Sequence, residues 1–172
     1  MQPRTLTIGG QDWLVLIDPG WRGDTPQSTP PAEVMVGGWT VNPDRKLGPF
    51  EPNPRYRPLH SSTPTDPIDA LARLTAAGED HRADIIRLLR DNVVQIGCDQ
   101  DNEPVVVSPD TGVPCVLVVT AEIHKQQLTV PRWWPIVGNT LAGIVPAGVD
   151  VLFNAGSAYR FRFANSALSQ GR

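Results

Sequence analysis

Residues 50–74 read FEPNPRYRPLHSSTPTDPIDALARL, a run that begins in prolines and ends in a helix. Prolines at 52, 54, 58, 64 and 67 fix φ and remove amide donors, so the first half favours an extended course over regular structure. A flexible tether, a packed strap and the lip of an active site are the three readings. Phe50, Tyr56 and Leu59 favour the strap, because disordered linkers are poor in aromatic residues. The helix predicted over 66–77 has its start written out: Asp66 as N-cap, Pro67 in the first helical position and Asp69 where a capping-box acid lies. Ile68, Leu71, Leu74 and the small Ala72 share one face, and Gly78 ends the element.

Upstream, TLTIGGQDWLVLIDPGW predicts a hairpin or two short strands interrupted at Gly9-Gly10, with Asp18-Pro19-Gly20 closing them. A polar, proline-containing run follows, then VMVGGWTV, a strand broken by Gly37-Gly38. Downstream, residues 80–91 predict a second amphipathic helix through Ala83, Ile86 and Leu89. NVVQIG, PVVVS and VPCVLVVT predict three strands, the last central because it is apolar almost throughout. AEIHKQQL predicts one or two helical turns, and GNTLAGIV a short helix stopped by Pro146. VDVLFNAG and SAYRFRF predict closing strands before a polar tail. The expected fold is α/β or α+β: a single compact domain with a mixed sheet flanked by helices over residues 66–168. Residues 1–65 are expected as strands and a proline-rich strap packed on that core.

A chain of 172 residues is long enough to bury about two-thirds of its unfolded surface without a disulfide or metal. With 15 basic against 18 acidic residues, interspersed, it has no basic stripe, which excludes a nucleic-acid footprint. No apolar run reaches the length of a membrane span, and MQPRTLTIGG matches neither a signal peptide nor a lipid anchor. A cytoplasmic protein without membrane insertion is expected, with Cys98 and Cys115 as two reduced thiols.

Catalytic motifs are thin. Asp110-Thr111-Gly112 matches the aspartic-protease triplet, but a single copy would need a homodimer, and Pro-Asp-x-Gly is a common turn. His60, His81 and His124 make no zinc spacing, and His81 and His124 read as solvated surface residues. Ser108 and Ser157 lack a nucleophile-elbow context. The expectation is a non-enzyme with no catalytic residue, cofactor or metal. The aromatic residues carry more. Trp133 and Trp134, between Pro131 and Pro135, cannot both be buried if the chain is extended there, and tryptophan is enriched at interface hot spots. The candidate protein-binding residues are therefore Arg55, Tyr56, Arg57, Trp133 and Trp134. Tyr56 and a tryptophan would anchor a partner, Arg57 would pair with a carboxylate or carbonyl, and Arg55 would sit at the rim. Arg57 has an intramolecular alternative, a staple to Asp66 or another acid.

The succession DPGW (18–21), PPAEVMVGGW (30–39), FEPNPRYRP (50–58) and TPTDPIDALARLTAAG (63–78) resembles the actinobacterial type VII secretion system-associated proteins. The C-terminal half, through 114–120 and 149–156, is similar to the SseB N-terminal domain. It departs at Asn154-Ala155-Gly156, where the pattern has Asn-Pro-Gly, and at Val119-Thr120. The resemblance implies a cytoplasmic accessory protein, chaperone-like or assembly-related, whose partner is a type VII secretion component or substrate. It implies no catalytic residues. The alternative is a homodimeric self-association module with no role in secretion.

Overall fold

A computed structural model describes residues 2–25, 28–109 and 112–169. The N-terminal part forms an antiparallel meander, β1 (Gln2–Ile8), β2 (Gln11–Ile17), β3 (Met35–Val41) and β4 (Leu47–Pro52), paired in chain order. Gly9 and Gly10 both take positive φ, 60° and 83°, as a two-residue hairpin turn of the twist-matching kind requires. Gly37-Gly38 does not break β3 but lies inside it. A Cβ on Gly37 would stand 2.6 Å from the Phe50 ring, so the glycine lets β4 pack closely.

The proline-rich strap begins as the edge strand β4. Val41 pairs with Leu47 and Trp39 with Phe50, leaving an extra residue on β4 around Gly48-Pro49. A bulge of this kind is where a strand tolerates proline. The N–H of Phe50 then reaches away from β3 to the carbonyl of Asp91 at 2.9 Å, and Phe50 bridges Asn92 in parallel. The backbone of Phe50 thus links the N-terminal sheet to Asp91 and Asn92.

The second sheet runs β10 (Phe161–Phe163), β9 (Asp150–Phe153), β7 (Cys115–Val119), β5 (Val93–Cys98), β8 (Arg132–Val137), with β6 (Val106–Val107) also against β7. The β7–β9 pair is parallel and the others antiparallel, which makes the sheet mixed. Three helices pack on it: α1 (Pro67–Ala76), α2 (Arg82–Arg90) and α3 (Leu141–Ile144). Ile68, Ile85, Leu89 and Leu141 meet Val94, Ile96, Val116, Val118, Val151 and Phe153 in one core. The alternate β7 residues Cys115, Leu117 and Val119 are also buried, so β7 is apolar on both sides as a central strand should be. The expected polar tail ends in a short helix, α4 (Asn165–Ser169).

The result is a single α/β domain with an N-terminal β-rich, proline-containing extension. Among the described residues no helix is long and apolar enough to cross a membrane.

Candidate functional site

The strap after β4 is fastened from within. Asn53 donates through Nδ2 to the carbonyls of Ala32 and Met35, at 2.7 and 2.8 Å. The buried carboxylate of Asp18 accepts from the Tyr56 hydroxyl at 2.8 Å, from Leu59 N at 3.1 Å and from Gly20 N at 2.7 Å. Burial, with the Asp18 carboxylate beside it, pushes the Tyr56 hydroxyl far above its ordinary range. Tyr56 is 3 % exposed, packed with Val36 and Phe50. Its ring therefore faces inward, away from any partner surface. Arg55 pairs with Glu33 at the surface. Arg57 donates to the carbonyls of Pro54 and Tyr56, at 3.0 and 2.7 Å, and its own N–H goes to Glu33 O. Its guanidinium thus braces the strap's own backbone, where a staple to Asp66 was one expectation.

Where the strap enters α1, the sequence reading of the cap holds with one shift. Asp66 Oδ1 accepts from Ile68 N and Asp69 N at 2.8 and 3.0 Å. Asp69, placed as a capping-box acid, accepts not from the N-cap residue but from Thr65 N at 2.9 Å. The second oxygen of Asp66 is left to receive the hydroxyls of Thr65 at 2.9 Å and Thr120 at 2.7 Å. Thr120 closes β7 and Asn154 closes β9; these parallel strands end side by side, and Asn154 Nδ2 donates to Thr120 Oγ1 at 2.9 Å. Asn154 takes φ 51°, a left-handed conformation asparagine tolerates, and turns its amide onto Thr120. On the other side His124 Nε2 lies 2.8 Å from Thr65 Oγ1. His124, read from sequence as a solvated residue, is half-buried in this network.

Burial and the neighbouring Asp69 carboxylate push Asp66 up, and the Thr120 hydroxyl and Asp69 N–H act against that. Burial pushes His124 down, against the pull of Asp66 and Asp69. A polar cleft of about 440 Å³ opens over His124, Thr65, Arg73, Gln127 and Ser157. Its hydroxyl is not set up as a nucleophile. Thr65 is 5 % exposed, and its one proton lies between a carboxylate and an imidazole; a triad needs the imidazole between the other two. The geometry is that of a lock between the strap, α1 and the ends of β7 and β9.

Asp110 and Thr111 lie outside the described residues; Gly112 N donates to Pro109 O at 2.8 Å. Cys98 and Cys115 are buried free thiols. Among the described residues no three His, Cys, Asp or Glu side chains are grouped to hold a metal ion.

Trp133 and Trp134 lie on β8, as an extended segment between prolines. Gly138 N donates to Asn92 O at 2.9 Å, which fixes the phase of the antiparallel β5–β8 pair. Counting back, Trp134 and Ile136 face β5 with their backbone groups, and Trp133, Pro135 and Val137 turn theirs outward. The missing N–H of Pro135 is thus on the free edge, where proline protects against strand addition. That placement also explains why a proline-flanked stretch is a strand, which the sequence reading left as extended chain only. Trp133 is half-buried with the Lys125 ammonium 5.7 Å from its ring. Trp134 is 55 % exposed; the other four tryptophans are all less so. Of the five sequence-named residues, Trp133 and Trp134 share β8, and Arg55, Tyr56 and Arg57 share the strap. The two groups belong to different elements. The Asp66–Thr120–Asn154–His124 lock was not found from sequence, and only the Asp66 cap signalled it.

No family model, curated protein or solved structure matches the chain. The resemblance of 18–21, 30–39, 50–58 and 63–78 to type VII secretion system-associated proteins rests on those motifs.

Proposed function

We propose that the protein is a non-enzymatic protein-interaction module that engages its partner through Trp134 and the adjoining face of β8. The observation that carries this reading is the exposure of Trp134, a large apolar side chain held on a rigid strand and left 55 % in water. Exposed aromatic anchors on rigid elements are what hot spots are made of. Pro135 speaks against an added strand as the binding mode, so the contact would be made by side chains. Arg132, on the same strand, would serve as rim. The motif resemblance supports a cytoplasmic accessory role in type VII secretion, with a secretion component or substrate as the partner. Capture from the cytoplasm of an actinobacterium that carries such a system tests it. Parent protein should retain a secretion component or substrate that an equally stable Trp134→Ala protein does not. Equal capture by both would remove β8 from the reading.

A second reading, self-association, has its own observation. The two-residue turn makes Ile8 and Gln11 a hydrogen-bonded pair, so Thr5 and Thr7 on β1 point their backbone groups outward. That edge is unpaired, and no proline lies between the two threonines. Two copies of β1, antiparallel about Leu6, would exchange four hydrogen bonds. Light scattering across the micromolar range decides: one chain's mass throughout excludes it, and a dimer abolished by Thr7→Pro establishes it.

A further inference from the structure

The polar cleft over the lock carries groups that the lock does not use. It opens outside the carboxyl ends of the parallel strands β7 and β9, the end of a parallel pair where α/β sheets place their ligands. Ile123, His124 and Gln127 come from the turn after β7, Ser157 from the turn after β9, and Pro58 and Thr63 from the strap. At about 440 Å³ it has the size of a small-molecule site. Thr63 is 7 % exposed, and its hydroxyl bonds to no described residue. The fully enclosed unpartnered atoms among the described residues are Asp69 Oδ1 and Asn165 Oδ1, so the Thr63 hydroxyl opens on the cleft that its residue lines. A buried hydroxyl left open in a cleft wall is one that a ligand can satisfy.

The groups around it are neutral. Thr65 gives its proton to Asp66 at 2.9 Å, so His124 Nε2 donates to Thr65 Oγ1 at 2.8 Å, and Nδ1 of the neutral ring is an open acceptor. Ser157 Oγ accepts from Tyr159 N at 3.1 Å and keeps its own proton to give. The Gln127 amide is exposed and bonds to no described residue. Among the described residues no carboxylate lines the cleft. Arg73, which does, is taken up by Asp69 Oδ2 at 2.9 Å and Ser62 O at 3.1 Å.

We infer that this cleft binds a neutral, hydroxyl-rich small molecule, a mono- or disaccharide. A sugar hydroxyl both gives and accepts, as Thr63 and the Gln127 amide do, and can donate to His124 Nδ1 or accept from Ser157. Pro58 and Ile123 supply apolar surface for the C–H face of a sugar ring. An anion fits less well. The Arg73 charge is already matched by Asp69, His124 presents a lone pair, and the Asp66 carboxylate stands behind Thr65.

The test is amide-shift NMR on the full-length protein, with glucose, galactose, trehalose and maltose taken to tens of millimolar. Glucuronate and triglycine are the anionic and peptide counterparts. At least one sugar should shift the Thr63, Gln127 and Ser157 amides saturably, and bind more tightly than glucuronate or triglycine. Thr63→Val, which keeps the shape and removes the hydroxyl, should weaken that sugar about tenfold. Its unfolding midpoint should not change, because the hydroxyl bonds to no described residue of the fold. Gln127→Ala should weaken binding separately. No saturable shift with any of the four sugars, shifts that spare the cleft amides, equal affinity of Thr63→Val, or tighter binding of glucuronate or triglycine than of every sugar overturns the inference. Trp134→Ala should leave sugar affinity unchanged, so failure at this cleft and failure of the β8 reading are separately visible.

Discussion

His124 Nε2 and Thr65 Oγ1 lie 2.8 Å apart although 59 residues separate them in the chain. Thr65 belongs to the end of the proline-rich strap and His124 to the 3-10 turn after β7, so this contact pins the N-terminal extension to the C-terminal sheet. Asp66, Thr120 and Asn154 continue it inward as a hydrogen-bonded row.

The histidine makes that pin sensitive to pH. Burial lowers the His124 pKa below its ordinary value near 6.5; Asp66 and Asp69 oppose this, and Arg73 adds to it. A group lowered on folding contributes stability that is complete above the unfolded pKa and is lost as pH falls through the folded one. The stability margin of the parent over His124→Gln, measured by urea unfolding, should be full at about pH 7.5 and shrink below about pH 6.5. A margin that grows in acid would mean that the neighbouring carboxylates win and His124 charges inside the fold.

Tyr56 bears on the strap by a neutral route. Tyr56→Phe removes one of three donors to the buried Asp18 and leaves the ring packing in place. It should lower unfolding free energy by about 1–3 kcal/mol, the usual consequence of depriving a buried carboxylate of a donor. A change under about 0.5 kcal/mol would show that Leu59 N and Gly20 N satisfy Asp18 without it.

Two glycines of the same short segment, Gly138 and Gly143, should behave in opposite ways. A Cβ on Gly138 would fall onto the carbonyl group of Leu89, 2.7 Å from its carbon, where backbone cannot yield. Gly138→Ala should destabilise by more than about 3 kcal/mol or prevent folding, by overpacking against the end of α2. Gly143, inside α3, has open space around its Cβ position and no left-handed φ. Gly143→Ala should be neutral or stabilising by up to about 1 kcal/mol. Thermal unfolding of the two proteins checks both.

The position of the start of α1 was legible because a helix cap is a local code: Asp66, Pro67 and Asp69 lie within four residues. Its detail escaped the sequence, since Asp69 serves Thr65 once Asp66 Oδ1 has taken the next amides. The strap was legible as packed chain but not as a strand, because Pro49 and Pro52 argue against one until the bulge beside Thr40 is known. The lock around Asp66 was invisible for a plainer reason. Thr120 and Asn154 are ordinary residues at the ends of two strands, and only the parallel pairing of β7 with β9 brings them together. His124 looked solvated because its own segment is polar, and its burial comes from a strap far away in the chain. The exposure of Trp134 was half legible: the flanking prolines implied an extended stretch, and the edge position of β8 decided which ring stays in water.

Trp134 gives the most direct measurement. The 55 % exposed ring contributes little to the fold, so Trp134→Ala should unfold within about 0.5 kcal/mol of the parent. Side-by-side capture from the actinobacterial cytoplasm should then show a secretion component or substrate retained by the parent and lost from Trp134→Ala. Identical retention by both proteins, at matched stability, would contradict the assignment of β8 as the binding face.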